Sequence, residues 1–77
     1  MQFVTLGNET PRAVELHFEF SAGRYCLKLP AHGETELQLP PEGLGALLDQ
    51  NQHLDLRYVA AGQRATAGLW FTLGGGL

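Results

Sequence analysis

The chain has little with which to staple itself together. It contains one cysteine, Cys26, among 77 residues, so no disulfide can close within it. Its histidines, His17, His32 and His53, show no C-x-x-C, H-x-x-x-H or H-E-x-x-H spacing. A structural zinc site needs about four converging ligands, commonly with two of them close in sequence, so neither a metal site nor a cofactor is expected. No apolar run approaches the roughly 20 residues of a membrane span. The opening residues Met1 to Glu9 lack the basic and then apolar character of a secretory leader. These absences predict a chain that is cytoplasmic at synthesis and has no membrane partner. Asn8-Glu9-Thr10 fits a glycosylation acceptor but, followed by Pro11, reads as a turn.

Basic charge is also scarce. Arg12, Arg24, Lys28, Arg57 and Arg64 are dispersed among eight acids, for a net charge of −3, which disfavours nucleic acid and anionic membranes as partners. Gly43-Leu44-Gly45 is too short for a dinucleotide fingerprint, and Gly74-Gly75-Gly76 precedes only Leu77 rather than a helix. No small-molecule substrate is evident.

What is present is alternation with a period of two. Val14, Leu16, Phe18 and Phe20 share one strand face, with Glu15, His17 and Glu19 on the other. After Ser21-Ala22-Gly23, Tyr25, Leu27 and Leu29 alternate with Arg24, Cys26 and Lys28. Pairing Phe20 with Tyr25, Phe18 with Leu27 and Leu16 with Leu29 keeps the apolar side chains on one face, whereas a one-residue slip would mix the faces. This register predicts a turn centred on Ala22-Gly23 and sets His17 across from Lys28. Thr35, Leu37 and Leu39 alternate with Glu34, Glu36 and Gln38 in a further strand. Pro41 suits a first helical position, Glu42 complements the helix dipole, and Leu44, Leu47 and Leu48 recur at helical spacing. Leu54, Leu56 and Tyr58 alternate again, and a turn at Ala61-Gly62 leads to a last strand from about Thr66 to Leu73. Gln2 to Leu6 is the sixth strand.

The expected fold is mainly all-β: a small antiparallel β-sandwich or partly open barrel of about six strands, with one short helix near residues 41–50. It forms a single domain over residues 1–73, followed by a Gly-rich tail at 74–77.

No constellation points to catalysis. The acids sit on outward strand faces, a general acid–base pair needs convergence in a concave site, and neither His17 nor His53 has a nucleophile within reach in the expected pairing. Cys26 reads as a small buried hydrophobe, with a reactive thiol as the alternative. The residue out of pattern is Trp70. If Leu69, Phe71 and Leu73 face the core, Trp70 points to the other face, beside His53. Either the helix or the N-terminal strand covers it, or it anchors a protein contact, a role in which tryptophan is enriched. Phe3 and Val59 offer a similar apolar surplus, and Leu77 ends an arm able to lie against a neighbour.

A chain this short, without disulfide or metal, sits near balance between burial and entropy, which points to association. The sequence therefore predicts a non-enzymatic structural or assembly protein, an oligomer or a small accessory subunit of a larger assembly, such as a virion decoration or cement protein. Its partner would be protein, met through Trp70, Phe3, Val59 and Leu77. The alternative is an intracellular inhibitor or adaptor that docks on one host protein through the aromatic patch or an acidic face.

Overall fold

A computed structural model describes residues 1–74. It is mostly β, with six strands in two sheets and one α-helix. The strands are β1 (Gln2–Glu9), β2 (Val14–Phe20), β3 (Gly23–Leu29), β4 (Gly33–Leu39), β5 (Arg57–Tyr58) and β6 (Gly68–Gly74); the helix α1 (Pro41–Asp49) follows β4. The larger sheet has the order β4-β1-β6-β5, and β2 and β3 form a separate hairpin. Every ladder is antiparallel except the short parallel pair β5–β6. No helix among the described residues is long and apolar enough to cross a membrane.

Alternation decides the core. Val4 and Leu6 of β1, Leu39 of β4, Leu69 and Phe71 of β6, Leu16 and Phe18 of β2, Leu29 of β3 and Leu47 of α1 are buried together. At its N-terminus α1 begins with Pro41, whose missing N–H costs nothing there. Gly43 lets the helix approach the hairpin, because a β-carbon there would lie 2.9 Å from the Phe20 ring. At its C-terminus the helix clamps the free edge of β2. The Gln50 side-chain amide donates to the Glu19 carbonyl (2.8 Å) and accepts from the Glu19 N–H (2.9 Å), standing in for a neighbouring strand. Asn51 Nδ2 donates to the carbonyls of His17 (3.0 Å) and Leu47 (2.8 Å).

Asn8 joins the two sheets. It is fully buried, and its Nδ2 donates to the carbonyls of Arg12, Leu29 and Pro30 while its Oδ1 accepts from the Thr10 N–H and hydroxyl. An enclosed and hydrogen-bonded amide carries no glycan in the folded chain.

Four expectations need correction. The hairpin register is shifted by two: Phe20 pairs with Gly23, Phe18 with Tyr25, Leu16 with Leu27 and Val14 with Leu29. A two-residue shift keeps every side chain on its own face, so the apolar pattern does not distinguish the two registers. The tighter loop, Ser21-Ala22, uses the positive φ of Gly23 (129°) and gains the Glu19–Arg24 ion pair at 2.6 Å. The segment expected as a strand from Leu54 is a 3₁₀ turn over Gln52–Leu54, followed by left-handed Asp55 (φ 53°), so only Arg57–Tyr58 is extended. Its parallel pairing with β6 replaces the second hairpin. Finally, β6 begins at Gly68 rather than about Thr66 and runs to Gly74, opposite Phe3; the remaining residues of the expected tail, 75–77, lie outside the described residues.

Candidate functional site

Three of the four interaction residues expected from the sequence lie among the described residues. Trp70 does lie on the outer face of β6, but it is only 1% exposed. Its cross-strand partner is Gly7, where a β-carbon would sit 2.0 Å from the indole, so the ring lies flat over the bare backbone of β1. Its neighbour on the other side is Arg57, not His53. Glu34, Gly7, Trp70 and Arg57 therefore form one row across the outer face of the four-stranded sheet. β4 and β5 stand at opposite edges, about 14 Å apart at three strand spacings. Even so, Arg64, in the segment joining β5 to β6, reaches Glu34 on β4 at 3.0 Å. That segment must return across the sheet, over the row that holds Trp70. The indole is thus enclosed by its own chain, with its Nε1 lacking a hydrogen-bond partner among the described residues. Of the other expected contacts, Phe3 is 37% exposed, Val59 is half-buried with its N–H donated to the Phe71 carbonyl, and Leu77 lies outside the described residues.

Chemistry gathers instead on the outer face of the β2–β3 hairpin. The corrected register sets His17 directly opposite Cys26, with Glu15–Lys28 on one side of that pair and Glu19–Arg24 on the other. The thiol expected in the interior is exposed, because parity places it among charged neighbours. His17 Nε2 lies 2.9 Å from Glu15 Oε1, and Cys26 Sγ lies 4.0 Å from both. Lys28 Nζ holds the second oxygen of Glu15 at 3.7 Å. Arg24 hydrogen-bonds to Glu19, and that bond together with the carboxylate charge raises its pKa, so the guanidinium stays cationic at any physiological pH. Beside these residues opens a hollow of about 460 Å³, walled by His17, Cys26, Glu19, Arg24, Tyr25 and Gln50. Tyr25 stacks on Phe18 (5.1 Å, 9°) and Phe20 (5.4 Å, 13°), which stiffens the inner wall.

The three side chains do not form a proton relay. A Cys–His–acid relay uses the two ring nitrogens for two different partners, whereas one nitrogen, Nε2, faces both Glu15 and Cys26 here. What they do form is a set of three different donor atoms aimed at one point. Sequence spacing did not reveal it because two ligands come from alternate positions of one strand and the third from across a ladder. The i, i+2 pair Glu15/His17 was the available signal, and only the register adds Cys26.

The chain matches no known protein family, and no curated protein or solved structure matches it.

Proposed function

We propose that this is a non-enzymatic structural protein that assembles with copies of itself, edge to edge. The observation that carries this reading is the opposite charge of two of its open strand edges, those of β3 and β4. Among the described residues, β3 has a ladder only with β2, and β4 only with β1. β3 turns Arg24 and Lys28 outward, and β4 turns Glu34 and Glu36 outward. Unpaired edges invite a further strand. Two like edges would bring like charges face to face, which is unfavourable, whereas β3 of one copy against β4 of the next sets opposite charges across the seam. Side-chain parity also continues across such a seam, with Tyr25 and Leu27 on the same side as Thr35 and Leu37. A contact between two different surfaces propagates into a ring or a filament rather than stopping at a dimer. Exposed charges contribute little individually and are screened by salt, so they select the partner edge while backbone hydrogen bonds hold it.

Light scattering across a range of concentrations tests this. Mass should rise with concentration and fall in high salt. Lys28→Glu and Glu36→Lys should each weaken assembly, and the double variant should restore it. A folded monomer at every concentration, with a thermal midpoint independent of concentration, overturns the reading. So does a pull-down that recovers one dominant heterologous protein and no second copy, the outcome expected of an inhibitor or adaptor.

A further inference from the structure

We propose that Glu15, His17 and Cys26 form a binding site for a borderline-soft divalent cation of the zinc class on the outer face of the β2–β3 hairpin. This inference does not depend on the assembly reading, since all three residues lie on the hairpin's own face.

The geometry comes first. With zinc bonds of about 2.0–2.3 Å to oxygen, nitrogen and sulfur, the edges of a tetrahedral site are about 3.3–3.7 Å long. The three donor atoms already stand 2.9, 4.0 and 4.0 Å apart, so shifts of a few tenths of an ångström, within side-chain freedom, complete one face of the tetrahedron. Three protein ligands on an exposed surface leave the fourth position to water, the arrangement of an open zinc site.

Donor chemistry selects the ion. A thiolate and an imidazole favour zinc-class metals, while magnesium and calcium prefer all-oxygen shells. Charge balances as well: a thiolate and a carboxylate neutralise a dication, and the thiol proton leaves to solvent on binding. The flanking charges are Lys28, Arg24 and Glu19, and Glu19 is already engaged by Arg24 at 2.6 Å. Lys28 holds the second oxygen of Glu15, which orients the first, as outer partners of a ligating carboxylate do.

Support from behind completes the case. The ligands stand on a ladder rather than a loop, and the strand that carries two of them is clamped from its far edge by Gln50 and Asn51. A site built on a held strand loses less entropy on binding than one on a mobile segment.

Cobalt(II) is the probe, added to the full chain under reducing conditions. Expected is a thiolate-to-cobalt charge-transfer band that saturates at one ion per chain, is displaced by zinc, and is accompanied by a rise in thermal midpoint. Cys26→Ser should abolish the band. His17→Gln and Glu15→Gln should each weaken binding at least tenfold while leaving the circular dichroism spectrum unchanged. Absence of the band overturns the proposal. So does a His17→Gln variant that binds as tightly as the parent, because the thiol would then be acting alone.

Discussion

The two sheets carry outer faces written in the same alternating code, yet one is covered at its centre and the other is open to water throughout. On the four-stranded sheet the middle of the outward row Glu34–Gly7–Trp70–Arg57 is buried, with Trp70 1% exposed, while Glu34 and Arg57 at its two ends stay exposed. On the hairpin the outward rows Glu15–Lys28, His17–Cys26 and Glu19–Arg24 stay exposed throughout. An outward position in a strand is therefore not the same as a solvent position. A glycine opposite a large ring, together with a loop that crosses back, converts one into the other. Where neither is present, polar side chains meet each other and can hold a ligand.

Substitutions break or sharpen this contrast. The largest effect is expected for Gly7→Ala. The new methyl group would sit 2.0 Å from the indole carbon Cε2, so the ring must leave its bed. Urea unfolding should show a loss of about 3 kcal/mol, the upper end of overpacking costs. Tryptophan emission should shift to the red as the ring meets water. An unchanged midpoint with blue emission would mean that the sealed face is not sealed by this contact.

A smaller loss is expected for Gln50→Ala, which removes both hydrogen bonds from the edge of β2. About 1 kcal/mol is expected for so exposed a pair of bonds, with faster hydrogen exchange at the Glu19 amide as the local readout. Exchange at that amide as slow as in the parent chain would show that the helix does not clamp the strand.

The smallest effect is expected for Cys26→Ser, within about 0.5 kcal/mol of the parent, because the thiol is exposed and touches only other exposed polar side chains. A loss of 2 kcal/mol or more on the unfolding curve would assign Cys26 to the core and close the contrast between the two faces.

Much of this architecture was legible beforehand, and the failures share a cause. The helix from Pro41 and the strands of the hairpin follow from local periodicity and from proline's chemistry, both of which act over a few residues. The two-residue register shift escaped because hydrophobic parity is the same for registers that differ by two. With it escaped the juxtaposition of His17 and Cys26. The outward direction of Trp70 was legible, but its enclosure was only one of two readings, because Gly7 is 63 positions away and Arg64, six positions away, belongs to an irregular segment with no periodic signal. The strand expected from Leu54 was shortened by left-handed Asp55, a backbone state that alternation does not encode.

By itself, the order of residues determined most of the extended segments, which side chains share a face within them, and that neither a disulfide within the chain nor a run long enough to span a membrane is possible. Those properties depend on composition and on neighbours within a few positions. Tertiary structure decided which strands became partners, where their registers came to rest, and which outward face was covered. Those outcomes rest on contacts between residues far apart in the chain, where turn geometry and a missing β-carbon outweigh local preference.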